Sequence, residues 1–441
     1  MKIKKRRLSS PQIMVLGFLA LVLLGALVLM LPVASAKGEW TNFVDALFTS
    51  TTSVCVTGLV TVDTGTHWSM FGQSVILVLI QIGGLGVVTL AACFMMAAGR
   101  KIGLMQRSTM QDAVSAHKLD GIVRLTGFIV KGTLLIELTG AAIMAPTFIG
   151  EFGWGRGIWF SIFHSISAFC NAGIDLMGCH EPFSSLTYYA DNIAINVAVI
   201  LLVVVGGIGF LTWDDIVTHK WRIRNYRMQS KVILVSTAVL ILVPAVLFFF
   251  LEFSDLEMKE RILASVFQAM TPRTAGMNTM DLGSMSEAGQ VSMMGLMLIG
   301  GGPGSTAGGM KVTTFVVLIA CAGAVFRKRE SAQLFGRRVA HEAISTACTL
   351  AFMYVGLCVT GAMLISLVEG LPMLTCMFET ASAVATVGLT LGITPGLTVF
   401  SKCLLMVLMF IGRVGGLTLI YATLGSPFRP GKLPLENITV G

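Results

Sequence analysis

Apolar segments recur along the chain near residues 12–31, 72–98, 122–146, 190–212, 230–251, 290–325, 343–368 and 400–424. About 20 apolar residues suffice for a helix to cross a hydrocarbon layer of about 30 Å. Inside each consecutive pair lies a shorter stretch, at 41–53, 158–169, 260–270 and 373–384. A dozen residues make a helix of about 18 Å, too short to span and suited to a re-entrant half-helix. The pattern predicts an all-α integral membrane protein with eight transmembrane spans, built as four tandem span–half-helix–span repeats around one central pore. The repeats fall at 1–98, 99–226, 227–328 and 329–441, the last carrying the C-terminal tail.

Composition agrees with this. The 441 residues are 55% hydrophobic and only 12% charged, against about 25% charged in soluble chains. A soluble enzyme, a disordered tail and a nucleic-acid reader are excluded, and the net charge of +8 is read as topology. Segments 1–10, 99–124, 213–231, 327–342 and the tail hold 22 Lys+Arg and 7 Asp+Glu; the opposite connections hold 6 and 14. Basic connections face the cytoplasm, which places both termini inside a cell membrane. Lys2 to Arg7 followed by an apolar run and Ala34-Ser35-Ala36 imitates a cleavable leader. The run of about twenty residues exceeds the 7–15 of a leader and is expected to stay as the first span. Nine cysteines form no C-x-x-C pair and mostly sit in apolar stretches, so neither a disulfide framework nor a zinc site is expected.

The short segments repeat. Phe48 leads to Cys55-Val56-Thr57-Gly58, Phe163 to Cys170-Asn171-Ala172-Gly173, Phe267 to Arg273-Thr274-Ala275-Gly276, and Phe378 to Ala385-Thr386-Val387-Gly388. A half-helix that ends at membrane depth exposes carbonyls no helix satisfies. Such backbone survives only inside protein or beside water. Four such ends around one axis can replace the hydration shell of a cation with carbonyl oxygens, and glycine lets the carbonyls turn inward.

These residues, with Gln81-Ile82-Gly83-Gly84-Leu85-Gly86, Thr271-Pro272-Arg273-Thr274-Ala275-Gly276 and Phe410-Ile411-Gly412-Arg413, resemble the Trk/Ktr/HKT superfamily of potassium transporters. The likeness is greatest to the KtrB-type membrane subunit of bacterial Ktr systems. Those proteins resemble a tetrameric potassium channel fused into one chain. The resemblance implies a filter at Val56, Thr57, Gly58, Asn171, Ala172, Gly173, Thr274, Ala275, Gly276, Thr386, Val387 and Gly388, with potassium bound there and no other metal. Gly58 favours potassium, since in plant HKT relatives a Ser at this point goes with sodium transport. The tyrosine of channel filters is absent, which implies looser bracing and moderate selectivity over sodium.

The third post-filter segment is too long for one span. Residues 291–325 would form a helix of about 52 Å, but Gly300, Gly301, Gly302, Pro303, Gly304, Ser305, Thr306, Ala307, Gly308 and Gly309 cannot remain helical. They are expected to form an intramembrane loop against a water-filled path. The nucleotide P-loop pattern fails, because Met310 stands where Lys is required and Lys311 follows. Arg413 lies 25 residues after Gly388, as Gly301 lies 25 after Gly276. Arg413 is therefore expected at the depth of the loop in the adjacent quarter, with loop carbonyls or a carboxylate as its acceptors. The resemblance implies a gate made by residues 300–309 with Lys311 and the facing Arg413.

Thr49, His164, Gln268 and Glu379 follow the four shared Phe residues and are expected to brace each half-helix against its neighbour. Lys131 and Glu137 share one span and are expected to find partners within the protein. No cytoplasmic connection exceeds about 26 residues, so sensing must come from another chain. The resemblance implies a homodimer with a cytosolic nucleotide-binding regulatory ring of the KtrA type. No cofactor is expected in this chain; K+ is carried, Na+ is co-transported or stimulating, and the nucleotide belongs to the partner. Membrane lipid, and no nucleic acid, completes the expected surroundings. Two alternatives stand: a Trk- or HKT-like sodium/potassium symporter, and an intramembrane enzyme using His164 and Glu379.

Overall fold

The computed structural model describes residues 9–87, 89, 104–113 and 121–424. In chain order its helices are α1 (Ser10–Leu29), α2 (Phe43–Cys55), α3 (Thr64–His67), α4 (Met70–Leu85), α5 (Leu104–Ala113), α6 (Ile122–Phe169), α7 (Ile193–Gly207), α8 (Phe210–His219), α9 (Met228–Leu251), α10 (Met258–Met270), α11 (Glu287–Met297), α12 (Val312–Phe326), α13 (His341–Glu369), α14 (Met373–Val384), α15 (Val399–Val414) and α16 (Gly416–Leu424). A two-stranded hairpin, Gln333–Leu334 with Arg337–Arg338, and an isolated antiparallel bridge between Ser35 and Trp68 are the β pairings among the described residues. Lys2 to Arg7, the 98/99 repeat boundary, residues 99–103 and 114–120 of the 99–124 connection, and the tail from 425 lie outside the described residues.

Four described helices are long and apolar enough to cross a membrane: α1, α6, α9 and α13, the first span of each repeat. Local sequence sets their starts. Ser9 and Gln12 form a capping box at α1, which satisfies amides that the first turn leaves open. At α2, α4, α7 and α11 the side chains of Asn42, Ser69, Asn192 and Ser286 each accept from one first-turn amide. Helix α6 holds two elements joined at Gly153, whose φ of 76° and ψ of 172° break it into a span and a half-helix over 154–169. The four half-helices α2, 154–169, α10 and α14 thus stand where the short segments predicted them. Half-helices α2, α10 and α14 pack on the first span of their own repeat, and 154–169 meets its span through Ser165 Oγ, which donates to Glu137 O, and through Phe160 against Phe148. Leucines of α1 such as Leu16, Leu24 and Leu27 are exposed, as a lipid-facing surface requires.

The second spans depart from expectation. Only the third was read as broken, yet all four are. Helix α4 ends at Gly86 (φ 86°, ψ 135°). Helix α7 gives way to α8 through Gly209 (φ 90°, ψ 143°), with a bend of 96°. Helix α15 gives way to α16 through Gly415 (φ 87°, ψ 127°), with a bend of 93°. The three glycines share one conformation, which a Cβ makes costly. In the third repeat, residues 298–311 separate α11 from α12. Continuous spans over 190–212 and 400–424 are therefore replaced by helices that turn through about a right angle.

Candidate functional site

Each half-helix delivers three residues into a common ring. In every quarter the first and third of the three have positive φ: Val56 (55°) and Gly58 (101°), Asn171 (59°) and Gly173 (66°), Thr274 (67°) and Gly276 (78°), Thr386 (52°) and Gly388 (94°). Glycine accepts this freely, whereas Val56, Thr274 and Thr386 are β-branched residues in the left-handed region, at a cost of about 1–3 kcal/mol each. The amide of each middle residue points back into its half-helix. Thr57 N donates to Thr52 O (2.9 Å), Ala172 N to Ser167 O (2.8 Å), Ala275 N to Thr271 O (2.9 Å) and Val387 N to Ser382 O (2.8 Å). A trans peptide holds its carbonyl opposite its N–H, so the carbonyls of Val56, Asn171, Thr274 and Thr386 point away from the half-helices.

The ring is tight. A Cβ on Gly58 would stand 2.8 Å from Ala172 O, and one on Gly173 would stand 3.0 Å from Ala275 O. A Cβ on Gly276 would collide with Val387 O, and one on Gly388 with Thr57 O. Each closing glycine therefore abuts the middle carbonyl of the next quarter, all the way round.

Hydroxyls from the same half-helices brace this backbone, a feature the sequence reading missed. Thr52 Oγ1 accepts from Gly58 N and Ser382 Oγ from Gly388 N, both at 2.9 Å. Ser167 Oγ donates to Ile174 O at 2.6 Å, and Thr271 Oγ1 donates to Met277 O. The signal was available: a Ser or Thr stands six residues before the closing glycine in three quarters and five before it in the third.

His164 and Glu379 act similarly, and the expected bracing of neighbours is corrected. His164 Nδ1 bonds Phe160 O (2.7 Å) and Nε2 accepts from Leu176 N (3.2 Å), within its own quarter. Glu379 accepts from Thr390 Oγ1 (2.5 Å), Leu391 N (3.0 Å) and Thr394 Oγ1 (2.8 Å), also within its quarter. Thr49 Oγ1 and the Gln268 amide have no partner among the described residues. Both His164 and Glu379 are thus spent on the segment that leaves the ring, and the structure does not bring them together as an acid–base pair. Glu137 accepts from Gln81 Nε2 at 3.3 Å.

Above the ring a cavity of about 400 Å³ is lined by the four closing glycines and by Asp63, Asp175 and Asp281. Burial pushes the Asp175 carboxyl up to about 6, against the pull of its bond from Met177 N.

Below the ring lies the glycine-rich loop. Thr306 Oγ1 donates to Phe169 O at 3.1 Å. A Cβ on Gly308 would meet Thr386, and one on Gly309 would stand 2.7 Å from Ala385 O. The loop also pairs with the broken second spans. Gly302 N donates to Gly207 O (2.8 Å), Phe210 N to Gly304 O (2.8 Å) and Gly309 N to Gly412 O (3.1 Å). Arg413 completes the seat: Nη1 donates to Thr306 O, and Nη2 to Gly83 O (2.5 Å) and Gly84 O (3.0 Å). Lys311 Nζ donates to Ala307 O (2.6 Å) and Gly308 O (3.3 Å). A chamber of about 350 Å³ opens beneath, with Lys311 and Arg413 in its wall.

A family model described as TrkH, cation transport protein, matches residues 9–426. The chain belongs to the TrkH family. It is therefore a transport protein of the membrane and not an enzyme. The chain is 40% identical to the potassium/sodium uptake protein NtpJ of Enterococcus hirae, covering 99% of this chain and 98% of that one. It is 38% identical to the Ktr system potassium uptake protein B of Bacillus subtilis, covering 95% and 94%. Among solved structures, the potassium transporter TrkH of Vibrio parahaemolyticus superposes with a TM-score of 0.75 at 18% identity, over 96% of this chain and 86% of that one. That likeness shows a shared fold: the four-repeat architecture is the TrkH fold.

Proposed function

We propose that this chain is the potassium-conducting subunit of a Ktr-like uptake system in the cell membrane. The observation that carries the reading is the fourfold alternation of φ, with the amides turned back into the half-helices and the carbonyls turned away from them. Such a ring exchanges water oxygens for carbonyl oxygens around a partly dehydrated cation, which lowers the barrier to entering the membrane. The carboxyls of Asp63, Asp175 and Asp281 raise the local concentration of cations above it. In this reading the loop 300–309, seated by Arg413 and Lys311, closes the path below the ring. The names of the relatives support potassium as the cargo. "Potassium/sodium uptake" in one of them keeps sodium in view, as a co-transported or stimulating ion.

The same reading places both termini in the cytoplasm and pairs the chain with a second copy and a cytosolic nucleotide-binding ring. Any nucleotide is bound by that partner. Purified protein in liposomes, with potassium and sodium gradients varied separately, tests the proposal. Potassium flux without sodium is expected; flux that requires sodium on the same side would establish the symporter reading instead, and no cation flux would overturn both. Co-purification with the cytosolic partner, and flux that then responds to nucleotide, tests the assembly. Fully regulated transport by this chain alone would count against it.

A further inference from the structure

Arg273 stands between Pro272 and Thr274, where α10 passes into the ring. It is 7% exposed, and no ion pair reaches it among the described residues. Nη2 makes one long bond, 3.4 Å, to Gly300 O at the start of the loop. Its Nε and Nη1 have no partner among the described residues. The guanidinium borders a small void walled by Val203, Val204, Ile241 and Met270; the one other polar side chain there, Thr237, also has an unpaired hydroxyl.

The contrast with Arg413 is one of sign. Arg413 gives three hydrogen bonds to carbonyls of the seated loop and the first repeat. A charge held at membrane depth without acceptors is costly, and a half-satisfied one carries that cost in whichever conformation leaves it so. Here that conformation is the seated one. The carbonyls that could relieve it belong to the loop itself, since Gly300 O is at 3.4 Å and Gly301 lines the same void. A loop released from Arg413 is free to turn those carbonyls toward Arg273, and the path it vacates admits water to the guanidinium.

We infer that Arg273 opposes Arg413: it is a positioning residue that favours release of loop 300–309, where Arg413 favours its seating. The inference rests on the gate reading proposed above. The two arginines, on either side of one loop, set its balance between them.

The test uses the full chain in liposomes with potassium and sodium flux read separately. Arg273→Met keeps length and suits the apolar walls, while removing the charge that the seated loop leaves unpaired. It is expected to lower potassium flux about tenfold, the weight of one charged hydrogen bond, with an unchanged potassium-to-sodium ratio. In protein shortened across 302–308 the same substitution is expected to do nothing, because the loop it acts on is gone. Thr237→Asp supplies the missing acceptor without removing Arg273, so it too is expected to lower flux; it carries the test if Arg273→Met does not fold. Unchanged or higher flux in these variants overturns the inference. So does an equal loss in the loop-shortened background, which would assign Arg273 to support of the ring. If loop shortening alone fails to raise flux, the gate reading falls and this inference with it. If shortening raises flux but Arg273→Met does not lower it, only this inference falls.

Discussion

Arg413 and Thr306 are 107 residues apart in the chain, and the guanidinium of the first donates to the carbonyl of the second. Through its other nitrogen the same side chain holds Gly83 and Gly84 of the first repeat. One residue of the fourth repeat therefore ties the loop of the third to the break in the first. A hydrogen bond to a charged group contributes about 1.5–3 kcal/mol, and 1.4 kcal/mol is about a tenfold population change. Arg413→Ala should raise potassium flux about tenfold with little change in selectivity. Flux in liposomes checks this, and a rate at or below wild type would remove Arg413 from the gate.

Gly58 closes the first quarter at φ 101°, and a Cβ there would stand 2.8 Å from Ala172 O. Gly58→Ser forces a side chain into the left-handed region and pushes on the carbonyl of the next quarter. The ring must widen or tilt, which degrades the match to one cation more than it blocks passage. The expected outcome is a lower potassium-to-sodium ratio in uptake by a host deficient in potassium uptake. An unchanged ratio would detach Gly58 from selectivity.

The Gly388 amide is buried and bonded to Ser382 Oγ at 2.9 Å. Ser382→Ala leaves that N–H unpaired, at about 1–3 kcal/mol, and frees the Val387–Gly388 peptide to rotate. Selectivity should fall while the fold and the loop seat persist. Parallel flux and thermal-unfolding measurements check this: a large loss of stability with intact selectivity would make the hydroxyl a fold element and nothing more.

The half-helices could be read from sequence because their length and apolar character are local properties. The repeat Phe48, Phe163, Phe267 and Phe378, each followed nine or ten residues later by glycine, could be read because it recurs four times. The breaks at Gly86, Gly209 and Gly415 were not legible in this way. A lone glycine within an apolar run costs a helix about 1 kcal/mol and is usually tolerated. Two of the breaks lie where the loop docks, through Gly207 O, Phe210 N and Gly412 O, and Arg413 reaches the third through Gly83 O and Gly84 O. These are contacts between repeats that no local pattern encodes. The bracing hydroxyls were hidden for a different reason. Thr52 and Ser382 lie in half-helices rich in Ser and Thr, where one functional hydroxyl resembles its neighbours. The sequence places Glu379 toward a neighbouring quarter because the hydroxyls that donate to it, on Thr390 and Thr394, lie beyond the ring, and only the turn of the chain brings them back.

The loop supplies the last expected outcome. It carries six glycines between residues 300 and 309 and so has few side chains with which to hold itself. Its position depends on main-chain bonds to Gly207, Phe210 and Gly412 and on the Arg413 and Lys311 side chains. Removing 302–308 deletes the acceptor at Thr306 O and the contact of Gly308 with Thr386. It leaves the ring with its own bonds to Thr52, Ser167, Thr271 and Ser382, none of which involves the loop. Flux should therefore rise more than for Arg413→Ala, because there the loop still lies below the ring with one anchor lost. The potassium-to-sodium ratio should stay near wild type, since the ring carbonyls proposed to discriminate are untouched. Adding Arg413→Ala to the shortened protein should give no further rise, because its anchor point is already gone. A shortened protein that folds, reaches the membrane and conducts no faster than wild type would mean that the barrier lies elsewhere along the path.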